Sequence, residues 1–166
     1  KLDFALSDVL GNLKAEFGVL AQAGGIQFSV VESSLAVYSD VRLLRRVLQN
    51  FLTNAFRYNP GGRVLLGCRR MGDKVRIEVW DNGPGIPEGK QEAIFDEFSR
   101  LDHSRTAREQ GLGLGLAIAR GISLVLGHQL SLRSWPGAGS VFAITLNLAT
   151  RPVIPSQVTT PALRDS

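Results

Sequence analysis

Three groups of residues have the types and spacing to act on a ligand that carries phosphates. Asn50, Asn54, Arg57 and Tyr58 recur at i, i+4, i+7 and i+8, so on a helix they fall on one side in successive turns. Amide oxygens, a guanidinium and a phenol set beside apolar packing suit a ligand with phosphates, a divalent metal and a flat apolar part. Asp81-Asn82-Gly83-Pro84-Gly85 combines a carboxylate with two glycines, which let carboxylate and backbone approach a ligand closely. Gly-Leu-Gly-Leu-Gly-Leu at 111–116 is the third group. Glycines where a helix begins leave backbone N–H groups free to face phosphate, and the helix dipole adds favourable potential. Each group alone also has a plainer reading: the margin of a surface helix, an Asp-Asn-Gly turn, and a structural glycine run.

The elements that would position them follow from periodicity. Asp40 to Tyr58 reads as one helix, with Asp40 as N-cap and Asn59-Pro60-Gly61-Gly62 as its stop. Leu44, Val47, Leu48, Phe51 and Ala55 share a core face, and Arg42, Arg45, Arg46, Gln49 and Thr53 a solvent face. The Asn50 stripe runs between them. Strands are predicted over Arg63 to Arg70 and Lys74 to Trp80, joined by Met71-Gly72-Asp73, and the second delivers Asp81 at its end. The glycine alternation feeds a helix over Leu116 to Leu126, apolar almost all round and therefore expected to be buried.

Elsewhere, Lys1 to Ala5 predicts a short strand, and Ser7 a cap for a helix with Val9, Leu10, Leu13, Phe17 and Leu20 inward, ending near Gly24-Gly25. Ile26 to Val31 and Leu35 to Tyr38 predict two more strands. Gln91 to Phe98 predicts a short helix with Ile94, Phe95 and Phe98 packing inward. Leu101 to Gln110 is polar and aperiodic, the pattern of a mobile lid, in which Arg105 and Arg108 could reach phosphates. Gln129 to Ser134 and Ser140 to Leu148 form a hairpin, and the Pro-rich segment after Leu148 reads as a linker or disordered tail.

Composition narrows the function. At 166 residues, 44% hydrophobic and 20% charged, the chain is one globular domain with a substantial core. The formal charge of +4 comes with no basic run interleaved with aromatics, so nucleic acid is not expected as a partner. A single cysteine, Cys68, excludes an internal disulfide. No apolar run approaches the roughly 20 residues of a membrane span, and no signal peptide is visible. The segment is expected to be cytoplasmic without membrane contact of its own. Its mid-pattern opening, KLDFALSDVL, suggests an excised domain whose parent can still be membrane-anchored. No GxxxxGK[ST] P-loop exists, the glycine spacing is not that of dinucleotide folds, and His103 lacks metal-ligand neighbours.

Taken in order, NFLTNAFRY at 50–58, DNGPGIP at 81–87, IFDEFSR at 94–100 and GLGLGLAIAR at 111–120 resemble the ATP-binding catalytic domain of sensor histidine kinases. That domain belongs to the superfamily of gyrase, the ninety-kilodalton heat-shock chaperone and the MutL ATPases. The resemblance covers Leu2 to Leu148 and implies a Bergerat fold: an α/β two-layer sandwich, with a mixed sheet of about five strands and three main helices on one face.

It implies ATP and Mg²⁺ as cofactors. Asp81 would accept a hydrogen bond from the adenine amino group, with Gly83 and Gly85 making room and Ile86 against the base. Asn54 would hold Mg²⁺, Asn50 would support it or a bound water, and Arg57 and Tyr58 would meet the phosphates. Arg100 matches a phosphate-contacting position. Gly111, Leu112, Gly113, Leu114 and Gly115, with Leu116 opening the helix, would serve the triphosphate. Phe142, in the last small box with Gly137, Gly139 and Ser140, would line the adenine side or simply fill the core.

Hydrolytic relatives carry a glutamate where this chain has Asn50, and an amide is a poor general base, so fast intrinsic hydrolysis is not expected. The implied partners are a dimerisation domain bearing the acceptor histidine, a response regulator receiver domain, and a second copy of the parent as a homodimer. An anti-sigma-type serine kinase and a nucleotide-gated interaction module are the rival functions.

Overall fold

In a computed structural model of the chain, residues 1–91, 93–95 and 112–156 are described. Seven strands and four helices occur among them: β1 Leu2–Ala5, α1 Leu6–Gly24, β2 Gln27–Val30, β3 Ala36–Ser39, α2 Val41–Arg57, β4 Arg63–Met71, β5 Lys74–Asp81, α3 Glu88–Gln91, α4 Leu112–Leu126, β6 Gln129–Trp135 and β7 Gly139–Asn147. Five strands make a mixed sheet in the order β2-β4-β5-β7-β6, with β2 and β4 parallel and the other pairs antiparallel. Alternation turns Val64, Leu66, Val75, Ile77, Val79, Phe142, Ile144 and Leu146 to one face, where they form a single core with the buried stripes of α1, α2 and α4. This is the expected two-layer α/β sandwich with three main helices.

Helix α2 is the axle of the core. The Asp40 carboxylate accepts the Leu43 N–H at 3.0 Å and caps its first turn. Leu44, Val47, Leu48, Phe51, Leu52 and Ala55 are all buried, as the stripe requires. Truncating such a leucine to alanine costs about 2–5 kcal/mol in comparable cores, so the angular position of α2 is firmly held.

The strands expected at 1–5 and 35–38 form as β1 and β3, which pair antiparallel in a two-stranded sheet of their own, from Leu2 opposite Ser39 to Ala5 opposite Ala36. Several expectations are corrected. Helix α1 starts two residues earlier than a Ser7 cap allows: Ala5 is its N-cap, without a side-chain hydrogen bond. Its stripe ends on buried Ala21, while Leu20 faces out, because Ala21 is the residue one turn beyond Phe17. The expected C-terminus holds, with Gly25 left-handed at φ 66°. A short helix lies at Glu88–Gln91, and of the helix expected at 91–98 residues 92 and 96–98 fall outside the described residues, while Ile94 and Phe95 pack against the core as expected. Helix α4 begins at Leu112 rather than Leu116 and is not buried all round: Leu124 and Val125 are 72% and 78% exposed. Only one side of α4 meets the core. No helix among the described residues is long and apolar enough to cross a membrane. The lid and Phe98 fall outside the described residues.

Candidate functional site

Two walls of a site are visible, one from α2 and one from the loop after β5. On α2, Asn50 and Asn54 are half-buried at the margin of the core and Arg57 is exposed, the gradation expected of a stripe between core and solvent. Tyr58 is the C-cap residue, its N–H directed to the Asn54 carbonyl at 3.4 Å. Asn50 faces α4: a Cβ added at Gly115 would lie 3.7 Å from its amide carbon and oxygen. The Asn50 Nδ2 is buried and makes no hydrogen bond among the described residues. A buried amide donor without an acceptor costs about 1–3 kcal/mol, the kind of defect that sites retain for a ligand or water.

The second wall is built at the end of β5, where Asp81 pairs with Val64 on one side and Ser140 on the other. Its Oδ1 accepts the Gly83 N–H at 2.9 Å. Burial raises the Asp81 carboxyl above the usual carboxylate range, opposed by backbone hydrogen bonds from Gly83 and Ser140. At Gly83 a Cβ would sit 3.0 Å from Asp81 Oδ1 and 3.3 Å from the Tyr58 carbonyl, so this turn and the end of α2 approach as closely as backbone allows. Gly85 has φ 72°, and a Cβ there would collide with the Trp135 carbonyl. Gly85 is thus required by packing within the chain itself, whereas at Gly83 a side chain would make its neighbours give by a few tenths of an ångström.

A polar scaffold behind this loop escaped the sequence reading. Asn59, read only as a helix stop, is buried; its Nδ2 donates to the Arg63 carbonyl at 3.0 Å and to Asn82 Oδ1 at 2.8 Å. The Arg63 N–H donates to the same Asn82 oxygen at 2.8 Å. On the other side, Ser134 Oγ accepts the Ile86 N–H at 2.7 Å and stands 2.8 Å from Ser140 Oγ. Gln91 Nε2 donates to the Ile86 carbonyl at 2.9 Å, and the Gly137 N–H to the Pro84 carbonyl at 2.7 Å. The loop is therefore clamped between the α2–β4 junction and the β6–β7 hairpin. The only signal in the sequence was the polar character of buried-parity positions such as Ser134 and Ser140.

Ile86 packs half-buried against the core. Phe142 is 1% exposed, with its ring 5.5 Å from Phe51 and 6.0 Å from Phe95, so its contacts here are those of a core residue. Leu112, Gly113 and Leu114 lie in the first turn of α4, and Gly115 and Leu116 follow within the helix. From Leu112 on, the run thus belongs to the helix rather than preceding it. Arg100, Arg105, Arg108 and Gly111 lie outside the described residues.

Chemically, a carboxylate and glycine turn stand on one side, and two amides and a guanidinium on the other. No group of three or more His, Cys, Asp or Glu able to hold a metal occurs among the described residues. A divalent cation here would rely on an amide oxygen, water and the ligand's own oxygens, a set that suits Mg²⁺. The Asn50 amide, without a partner among the described residues, fits such a ligand. His128 is far from this chemistry, beyond the C-terminus of α4, its Nε2 2.6 Å from the Ser39 hydroxyl.

Residues 39–150 match the family model described as histidine kinase-, DNA gyrase B- and HSP90-like ATPase. The chain is 34% identical over 156 residues to the sensor protein KdpD of Escherichia coli, covering 85% of this chain and 17% of KdpD. It is 46% identical over 112 residues to the adaptive-response sensory kinase SasA of Thermosynechococcus vestitus, covering 66% of this chain and 29% of that kinase. The chain thus spans well under half of these relatives. Among solved structures, the nucleotide-free catalytic domain of the histidine kinase ThkA superposes with a TM-score of 0.74 at 29% identity, over 87% of this chain and 93% of that domain. ThkA in complex with the response regulator protein TrrA gives 0.73 at 26% identity, over 89% and 41%.

Proposed function

The chain belongs to the histidine kinase-, DNA gyrase B- and HSP90-like ATPase family, and from that premise we propose that it is the ATP-binding catalytic domain of a sensor histidine kinase. It would pass the γ-phosphoryl group of ATP to a histidine on a separate dimerisation domain of a homodimeric parent, from which a response regulator receives it. The observation that carries this reading is the meeting of Asn50 on α2 with Gly115 on α4, beside which the Asn50 Nδ2 is buried with no hydrogen-bond partner among the described residues.

In this reading Asp81 selects the adenine amino group, and Gly83, Gly85 and Ile86 shape the base pocket. Asn54 ligates Mg²⁺, Asn50 supports its hydration, and Arg57 and Tyr58 balance phosphate charge. Arg100 and the run from Gly111 to Leu116 serve the triphosphate. When bound, Mg²⁺ neutralises charge developing on the transferring phosphoryl group. The residues of the chain position and stabilise; none is a strong general base, which fits transfer to an external histidine better than hydrolysis. In the same reading the catalytic domain runs to about Leu148, which bridges to Val37, and the Pro-rich residues after it serve as a linker, although the Ala149 N–H still donates to the Ala36 carbonyl at 2.8 Å and the Ser156 N–H to the Asp8 carboxylate at 3.3 Å.

Magnesium titration in calorimetry tests the assignment. Asn54→Ala is expected to abolish the dependence of ATP affinity on magnesium while leaving adenosine binding near wild type. An unchanged magnesium response would remove Asn54 from the metal's coordination.

A further inference from the structure

The sheet face away from the helices carries exposed aromatic and cationic side chains among the described residues. The core draws on the other face of the strands. The pairing register puts Leu65, Trp80, Val141 and Arg133 in one row across the outer face, and Arg69 and Arg76 in another row. Trp80 and Trp135, the only tryptophans in the chain, stack there with ring centroids 6.3 Å apart and planes at 16°. They are 37% and 46% exposed, beside Leu65 at 38%. Few exposed positions justify two indoles on solubility grounds.

The charge of this face is equally one-sided. By strand alternation Arg63, Arg69, Lys74, Arg76 and Arg133 share it with a single carboxylate, Glu78. Its formal charge therefore equals the +4 of the entire chain, and the remaining residues balance to zero. We propose that this outer sheet face docks a protein partner that presents acidic side chains around an apolar anchor. The stacked indoles receive the anchor, and Arg63 and Arg133 at the margin pair with carboxylates.

Two observations favour a protein over a nucleic acid. Four of the five cations are arginine, and arginine with tryptophan is the pairing enriched in protein interfaces, where lysine is depleted. Glu78 is buried at the middle of the face, 3.5 Å from Arg69 and 3.8 Å from Arg76, so a phosphate backbone crossing it would meet a fixed carboxylate. A partner chain can place neutral or apolar groups over that spot.

Because both tryptophans lie in this patch, intrinsic fluorescence reads binding directly. The probes are a synthetic peptide of alternating glutamate and leucine, its lysine counterpart, a single-stranded oligothymidylate and vesicles of anionic phospholipid. The acidic peptide is expected to shift the emission saturably, with affinity falling as salt rises and at least about tenfold in Arg63→Glu/Arg133→Glu. Melting curves and ATP titrations of the variant check its fold, and Arg133→Gln should show a smaller loss if the double variant does not fold. Flat emission to about 1 mM peptide, binding indifferent to charge reversal, equal binding of the lysine peptide, or a response to oligonucleotide or vesicles in place of the peptide would each overturn the proposal.

Discussion

Asn50 on α2 and Gly115 on α4 face each other at a distance where one methyl group would just fit, 3.7 Å from the amide carbon and oxygen. Gly115 lies inside a helix, and no φ in the left-handed region is found there. An alanine is therefore compatible with the fold and adds helix propensity. Gly115→Ala is expected to keep or raise the melting temperature, by the equivalent of about 0.5–1 kcal/mol. Its ATP affinity should nevertheless fall, because the methyl occupies the approach to Asn50. Thermal melts and calorimetry on one sample separate the effects; a destabilised variant with intact ATP affinity would show the glycine to be structural.

Asp81 makes the complementary case on the other wall. Burial raises its carboxyl, so relative to the unfolded chain the fold favours the protonated form. That contribution is present at low pH and is lost as pH rises from the usual carboxylate range through the raised value, leaving the ionised group a cost at neutral pH. Asp81→Asn keeps an oxygen for the Gly83 N–H and removes the charge. It should be at least as stable as wild type at pH 7, yet lose more than about tenfold in ATP affinity, the scale of one charged hydrogen bond of roughly 1.5–3 kcal/mol. GTP binding should change less. Stability curves against pH and paired ATP and GTP titrations check both halves.

His128 sets an acid limit on the fold. Burial, then the nearby Lys1 charge, push its imidazole down to about 4 from 6.5. A lowered histidine stabilises the fold above its unfolded value and ceases to do so as pH falls through its folded one. The domain should lose stability as pH drops from about 6.5 toward 4. His128→Gln, which can still reach the Ser39 hydroxyl, should flatten that slope in denaturant melts. An unchanged slope would move the acid sensitivity to other groups.

Periodic elements were legible in the sequence and paired or packed ones much less so. Helix α2 announced its cap, its core stripe and its polar margin, because all three repeat with the helical turn. The β4–β5 hairpin was equally plain from its alternation and its glycine turn. By contrast, β1 and β3 are four residues each, too short for alternation to say which sheet they join. Exposed Leu124 and Val125 broke the expectation of a buried α4, since apolar content alone does not tell which side has a neighbour. The clamp of Asn59 on Asn82 and of Ser134 on Ile86 joins residues 23 and 48 positions apart. Polar contacts of that range leave no local pattern.

The central claim is that this chain supplies ATP and positioning while the acceptor histidine lies elsewhere. In-line transfer needs the acceptor almost in contact with the γ-phosphate, and effective molarity falls steeply with misplacement. His128 sits beyond the far end of α4, roughly 20 Å from its N-terminus at 1.5 Å per residue, and is engaged with Ser39. The most direct measurement is incubation with ATP labelled on the γ-phosphate, alone and with a dimerisation domain bearing its histidine. No acid-labile label should appear on the chain itself, and the supplied domain should become labelled at its histidine. Stable labelling of the isolated chain, or failure to label any supplied acceptor despite ATP binding, would contradict the account.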